Sequence, residues 1–304
     1  MIVSPGAKIN LGLYITAKRP DGYHDLLTLF YPVPFSDSLE MILTPTDKIK
    51  GMDAWINKKA PEDTAITLRQ IPGLSIQYSA SGIPIKGALE NNLCIKAYRL
   101  LKEDFPELPP VMMHLHKNVP MGAGLGGGSA DGAAALQILN ELGQLRLCET
   151  QLLAYAERLG SDCPFFIKTG PQLARGKGEV LSPVALPLKG YTLLLICPPV
   201  HVPTAAAFSR IQPGAALSPA ALQQLLAKGP ESWKDALSNQ FEASVFSQFP
   251  QIEKIKQTLY RLGATYAAMT GSGSAVFGLF KTGQLPAEAD LQSLAPYVAG
   301  HWPL

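Results

Sequence analysis

PMGAGLGGGSADGAAAL runs from Pro120 to Leu136, and six of its seventeen residues are glycine. Between Met121 and Ser129 only Leu125 brings a sizeable side chain. Something must come close to this backbone. Backbone N–H groups at a helix N-terminus point outward unpaired, and the helix dipole favours an anion there. Glycine admits close approach, and allows the positive φ angles from which an anion nest is built. Ser129 is placed either to cap the following helix or to give its hydroxyl to a phosphate or a metal-bound water. A turn packed for purely structural reasons accounts for one or two glycines. Six of them between a strand and a helix read as a phosphate loop.

Three kinds of phosphate loop compete. A Walker A loop needs Gly-Lys and then Ser or Thr at the helix start, and no lysine lies between Pro120 and Leu136. Gly122, Gly124 and Gly127 satisfy GxGxxG, which opens a dinucleotide-binding reading. That fold also needs a strand running straight into the loop and an acidic residue closing a second strand about 20 residues on. Here Val119-Pro120 intervenes, and the region around Glu149 reads as helical. The third kind emerges from the rest of the chain.

Working outward, a helix is predicted from Asn92 to Leu101 and a strand from Val111 to His116. A helix follows from about Ser129 to Leu142, stopped by Gly143 in a positive-φ conformation. Another spans Thr150 to Leu159, before Gly160. The first 90 residues alternate short apolar runs with Pro, Gly and Asp, the pattern of strands and turns. The polar stretch from Asp53 to Asp63 reads as a surface loop. ARGKGEVLSPV reads as a hairpin-like turn, and PVALPLKG as a linker, which divides the chain into domains 1–183 and 184–304. Beyond it come a strand, YTLLLIC, and a helix from Pro219 to Ala227. In FPQIEKIKQTLYRLGA, Ile252, Ile255, Leu259 and Leu262 fall on one helical face, and Gly263 ends the helix. The glycine-rich turn TGSGS then leads into the strand AVFGLF.

Composition bounds the function. A chain of 304 residues favours two domains, and 47% hydrophobic against 16% charged residues permits a large core. A net charge of +2 is too small for a nucleic-acid-coating protein. The longest apolar run, Tyr191 to Cys197, is far short of the roughly 20 residues that span a bilayer. The start, MIVSPGAKINLGL, lacks a charged-then-apolar signal design, so a cytoplasmic location is expected. Cys94, Cys148, Cys163 and Cys197 stand far apart without CxxC spacing, as free thiols do in a reducing compartment. His114 and His116 share a strand face, but without an evident third ligand they read as ordinary strand histidines.

Pro120 to Ala130 resembles the phosphate loop of the GHMP kinases, the superfamily of galactokinase, homoserine kinase and mevalonate kinase. SPGAKINLGL, from Ser4, resembles their first motif, and MTGSGSAVFGLF, from Met269 to Phe280, their third. Within the superfamily, PGAKINLGLYITAKRPDGYHDLLTLF (Pro5 to Phe30), GSDCPFF (Gly160 to Phe166) and HVPTAAAF (His201 to Phe208) resemble a narrower group. Its members act in the non-mevalonate isoprenoid pathway on a polyol linked to cytidine diphosphate. The resemblance implies an α+β, two-domain GHMP kinase fold. An N-terminal α/β domain holds ATP, a C-terminal α+β domain follows, and the substrate lies between them.

The same resemblance implies roles. Pro120, Met121, Gly122, Ala123, Gly124, Leu125, Gly126, Gly127, Gly128, Ser129 and Ala130 would cradle the triphosphate. Asn92, Leu93 and Lys117 would join Met121 around the adenosine. Lys8 and Asp162 would be the catalytic pair, and Asn10, Tyr23, His24, Thr204 and Phe208 would meet the acceptor. Mg2+ is implied with ATP. Its ligands stay open, because Ala130-Asp131 stands where the family commonly has serine and asparagine. Gln240 in SNQFE replaces a common aspartate with no legible meaning. No nucleic-acid or membrane partner is implied, and the chain is expected to be a monomer or weak homodimer.

Read without the resemblance, Asp162 before Cys163-Pro164 is a helix N-cap with proline in the first turn. Lys8 is then a solvated strand lysine, Tyr23 and His24 follow a turn, and Phe208 belongs to a core. Three further functions remain open. One is a homoserine or mevalonate type of GHMP kinase, against which DGYHDLLTLF speaks. Another is a non-catalytic ligand sensor, against which the presence of both Lys8 and Asp162 speaks. The third is a dinucleotide-binding oxidoreductase.

Overall fold

The structure is a computed structural model that describes residues 1–44, 69–71, 73–168, 170–203, 207–208, 211 and 217–304. The polar stretch from Asp53 to Asp63 lies outside them. In chain order the strands are β1 (Ile2–Val3), β2 (Gly6–Lys18), β3 (His24–Ser36), β4 (Ser38–Leu43), β5 (Arg69–Gln70), β6 (Ile76–Gly82), β7 (Val111–Lys117), β8 (Gln172–Arg175), β9 (Val180–Pro183), β10 (Tyr191–Ile196), β11 (Tyr266–Met269), β12 (Val276–Lys281) and β13 (Val298–Pro303). The α-helices are α1 (Leu93–Asp104), α2 (Gly127–Leu142), α3 (Glu149–Leu159), α4 (Cys163–Ile167), α5 (Pro219–Ala227), α6 (Phe241–Gln248) and α7 (Pro250–Arg261). No helix among the described residues is long and apolar enough to cross a membrane.

By compactness the chain forms two units, each of several segments. The first comprises residues 1–6, 36–119 and 127–168, and the second residues 7–35, 120–126 and 169–304. This division differs from a single cut at residue 183, since β2, β3 and most of the glycine loop belong to the second unit.

The first unit is built on a five-stranded sheet in the order β1-β4-β7-β6-β5. Only the β6–β7 pair is parallel. Period-two alternation shapes β7: Val111, Met113 and Leu115 are buried, and the residues between them are more exposed. The buried set packs with α1 and α2 in one core. Helix α2 is buried almost all round, which its glycines and alanines permit. A Cβ on Gly132 would stand 2.8 Å from the Leu93 Cβ. Gly143 does follow α2, but not for the expected reason. The left-handed conformation falls on Gln144, at φ 51°. Gly143 is there for space, because a Cβ would stand 2.7 Å from Leu108 Cδ1. On the outer face of β7, Ser81 Oγ bonds His114 Nε2 at 3.0 Å and His116 Nδ1 at 2.9 Å. No cluster of three metal-ligating side chains occurs among the described residues.

The second unit holds two four-stranded sheets, β11-β12-β10-β13 and β2-β3-β8-β9. Helix α7 buries Ile252, Ile255 and Leu259 as the spacing predicts, together with Leu13 and Ile15 of β2. Gly263 ends that helix at φ 94°. β8 and β9 form the expected hairpin. The segment SNQFE fastens β2 from the side. Leu13 N donates to Ser238 O, Gln240 N to Leu13 O, and Ile15 N to Gln240 Oε1 at 2.5 Å. Asn239 Nδ2 donates to Met269 O and Gly271 O. This is the structural meaning of glutamine at 240: its amide oxygen accepts an N–H of a fully buried β2 residue.

Gln240→Ala is therefore expected to destabilise the protein by about 1–3 kcal/mol, the cost of an orphaned buried donor. Urea unfolding checks this, and Gln240→Glu, which keeps an acceptor, should lose less.

Candidate active site

Lys8 and Asn10 lie on one face of β2. Lys8 is only 4% exposed, so it is not the solvated strand lysine that its apolar neighbours suggest. Its Nζ donates to Asn10 Oδ1 at 2.7 Å and lies 4.8 Å from the centre of the Phe30 ring. Asn10 Nδ2 donates to Thr28 Oγ1 at 2.9 Å, and Asn10 N donates to Thr270 Oγ1 at 3.0 Å. The Thr270 hydroxyl also lies 3.2 Å from Gly124 O. Lys8 N donates to Leu125 O at 2.9 Å. The second unit thus brings together three segments that are far apart in the chain: the N-terminal motif, the glycine loop and the TGSGS turn.

The loop glycines have separable reasons. Gly122, Gly124 and Gly126 all adopt positive φ, at 72°, 78° and 71°. A Cβ on Gly124 would overlap the Thr270 carbonyl, and one on Gly122 would stand 2.7 Å from His201 Nδ1. In the first unit, a Cβ on Gly127 would meet Val119 Cγ1 at 2.9 Å. Gly128 differs: its φ is ordinary for an L-residue and nothing described lies within 4 Å of its Cβ position. No internal packing requires glycine there.

Ser129 is in the first turn of α2, two residues inside its start, and its hydroxyl bonds the Cys163 thiol. Burial pushes that thiol up to about 12. Asp162 precedes α4, with Pro164 in the first turn, but its carboxylate caps no backbone N–H of that helix. The capping reading of Asp162 is not what the structure shows. Asn92 caps α1 by accepting from Cys94 N at 2.9 Å, and its Nδ2 donates to Tyr78 at 3.0 Å. Met121 is exposed.

Lys117 departs most from expectation. The alternation of β7 carries it to the buried face, where its ammonium pairs with Asp37 and, at 2.9 Å, with Asp131. Asp37 Oδ1 also accepts from Asn118 N at 2.6 Å and Val119 N at 2.8 Å. Lys117 thus spends its ammonium charge inside the first unit. Burial lowers its pKa, but the two carboxylates outweigh that and raise it. Asp131 is pushed up to about 7, first by burial and then by Asp37, against the pull of Lys117. Its Oδ1 has no hydrogen-bond partner among the described residues.

The expected acceptor residues of the second unit form an aromatic group. His24 stacks on Phe208 at 5.0 Å and 26°, and Phe208 meets the edge of Phe241. Tyr23 is 59% exposed, with Lys177 Nζ 5.2 Å from its ring centre. Thr204 lies outside the described residues. Sequence reasoning missed Asp37, Thr28 and Thr270. Only Thr270 carried a signal, as the first residue of the glycine-rich turn.

The GHMP kinases N terminal domain matches residues 92–170, and the GHMP kinases C terminal domain residues 221–291. The chain is 47% identical over 293 residues to the 4-diphosphocytidyl-2-C-methyl-D-erythritol kinase of Bacteroides fragilis strain YCH46, covering 96% of this chain and 97% of the relative. It is 46% identical over 287 residues to the protein of that name from Bacteroides thetaiotaomicron, covering 94% of each. A crystal structure of 4-(cytidine 5'-diphospho)-2C-methyl-D-erythritol kinase superposes with a TM-score of 0.74 at 29% identity, covering 99% of this chain and 97% of that one.

The buried triad predicts a pH signature. Asp131 has a folded pKa above its unfolded value, so the native state binds the extra proton. Its contribution to stability is therefore lost as pH rises from about 4 to about 7. Asp131→Asn removes that slope. Thermal melts from pH 5 to 8 should show the variant gaining a few degrees on the parent as pH rises; parallel curves would contradict the assignment.

Proposed function

This chain belongs to the 4-diphosphocytidyl-2-C-methyl-D-erythritol kinase family of the GHMP kinases, and from that membership we propose that it moves the γ-phosphoryl group of ATP to the 2-hydroxyl of 4-diphosphocytidyl-2-C-methyl-D-erythritol. The observation that carries the site assignment is the buried ammonium of Lys8 on a strand whose Lys8 N–H is bonded to Leu125 O of the glycine loop. A cation held beside such a loop suits an anion that gains charge during transfer.

Phosphoryl transfer needs positioning and charge neutralisation more than covalent chemistry. The N–H groups of the loop and of the first turn of α2 hold phosphate oxygens. Lys8 offsets charge on the group in transit, and Asn10 fixes the Lys8 ammonium through its own bonds to Thr28 and Thr270. Asp162 orients the acceptor hydroxyl and takes its proton. A carboxylate is a weak base for an alcohol, so the proton moves late. Tyr23, His24 and Phe208 offer aromatic surface to the flat pyrimidine.

Magnesium bound with ATP would supply charge neutralisation at the phosphates. Such an ion would be held chiefly by the phosphates, with one or two protein carboxylates completing its shell. Residues 1–183 and 184–304 are the two family halves, working as a monomer or weak homodimer. The free cysteines support a reducing, cytoplasmic setting.

A coupled ADP-release assay tests the reaction with the cytidine-diphosphate substrate, methylerythritol phosphate, homoserine and mevalonate. A clear preference in kcat/KM for the first is expected. Comparable values for the acceptor that lacks cytidine would leave only a kinase of the wider superfamily. Asp162→Asn should lower turnover by roughly 10² or more while both ligands still bind, and Lys8→Ala should act similarly. A fall in melting temperature alone, with near-normal turnover, would return Asp162 to a structural role. Gly128→Ala should raise stability by up to about 1 kcal/mol, as alanine does in a helix, and raise the KM for ATP. A variant both more stable and kinetically unchanged would clear Gly128 of contact with phosphate.

A further inference from the structure

We propose that Asn239 is a positioning residue for phosphoryl transfer: it fixes the TGSGS turn, and through Thr270 and Asn10 the Lys8 ammonium. The inference rests on the kinase reading given above. Asn239 is buried, and it stands far in sequence from both the glycine loop and Lys8. Its Nδ2 donates to Met269 O at 2.9 Å and to Gly271 O at 2.8 Å. Both amide hydrogens are thereby used on the two carbonyls that flank Thr270. Its Oδ1 accepts from Phe241 N at 3.0 Å, which fixes the way the amide faces. From the same segment, Glu242 Oε1 accepts from Met269 N at 2.9 Å, and its other oxygen pairs with Lys256 at 2.6 Å. Asn239 and Glu242 together grip the backbone beside Thr270.

Thr270 is the residue this grip places. Its buried hydroxyl accepts from Asn10 N at 3.0 Å, and it has one proton to give, with Gly124 O and Asn10 Oδ1 both 3.2 Å away. Asn10 Oδ1 in turn accepts from the Lys8 ammonium at 2.7 Å. A single path of hydrogen bonds therefore runs from Asn239 through Thr270 to the glycine loop on one side and to Lys8 on the other. A turn of glycines and serines has little side-chain packing of its own, and its backbone is conformationally free. Bonds to its carbonyls are what hold it, and Asn239 supplies two of them. Transfer chemistry is sensitive to such placement, since a shift of about 1 Å remote from the reacting atoms can cost about 10²-fold in rate.

Steady-state kinetics of the full chain test this on N239D, T270V and the double variant, with ATP varied and the cytidine-diphosphate substrate saturating. N239D keeps the shape of the side chain but turns an acceptor toward two carbonyls. It should lose about tenfold or more in kcat/KM for ATP, and T270V, which removes the hydroxyl, should lose a similar factor. Because Asn239 acts through Thr270, the double variant should lose little more than the worse single variant, whereas two independent structural defects would multiply. Melting curves identify the folded variants. Should N239D not fold, N239S, with one hydroxyl donor in place of two amide hydrogens, enters the same cycle with the same expectation. Multiplied losses, or parent kinetics in a variant that only melts lower, would overturn the proposal. If the parent itself leaves the cytidine-diphosphate substrate unphosphorylated, the kinase reading fails and the role of Asn239 falls with it.

Discussion

Two glycine turns lie backbone against backbone in the second unit, and the disposition of Lys8 follows from that contact. A Cβ on Gly271 would stand 2.9 Å from Gly124 Cα, and one on Gly124 would overlap the Thr270 carbonyl. Neither side of the contact tolerates a side chain. The approach is close enough for Ala275 N to donate to Ala123 O, and for the Thr270 hydroxyl to reach Gly124 O. Thr270 also accepts from Asn10 N, and Asn10 holds the Lys8 ammonium. A chain of short contacts therefore runs from one glycine turn to the other and on to the cation. Widening any link would move the ammonium by as much as the backbone shifts.

The first unit depends on a different device. Strand β7 alternates strictly, so its last residue must face the core, and that residue is Lys117. A buried ammonium is tolerable only when paired and hydrogen-bonded. Asp37 and Asp131 supply the pairing from two other segments. Asp37 also takes the N–H groups of Asn118 and Val119, the residues that lead toward the loop. Two carboxylates against one ammonium leave a surplus negative charge, and the raised pKa of Asp131 is how the triad relieves it. The small residues around it on α2 allow the close packing that excludes water from the triad.

What was legible follows from the range of the interactions. Elements fixed by local period were read within a few residues: the face of α7, the alternation of β7, the β8–β9 hairpin. The glycine loop announced itself because six glycines exceed what a turn needs. Gly143 was read for the wrong cause, since its spatial conflict is with Leu108, whose position no local pattern gives. The pairing of Lys117 was illegible for the same reason: its partners Asp37 and Asp131 come from other segments, and nothing around them in sequence marks a pairing. Gln240 became intelligible only when its amide was seen against Ile15. The proposed catalytic pair rests on resemblance alone, because neither Lys8 nor Asp162 carries a signal in its immediate neighbours.

Function shows most clearly where the fold makes a choice that stability does not ask for. Gly122, Gly124 and Gly127 are explained from within, by left-handed backbone or by a neighbour already in place. Gly128 is not, and a helical glycine costs about 0.5–1 kcal/mol relative to alanine. Lys8 places a charge in a strand whose neighbours are apolar and buried. Asp162 occupies a helix-start position without using its carboxylate to cap it, although a capping carboxylate there is commonly worth about 1 kcal/mol. Each is a choice that the proposed phosphoryl transfer would use: an open backbone for phosphate, a cation for developing negative charge, and a carboxylate for a hydroxyl proton. Any one of them alone is an ordinary imperfection of a natural fold. Their agreement on a single reaction is what separates a kinase from a glycine-rich turn.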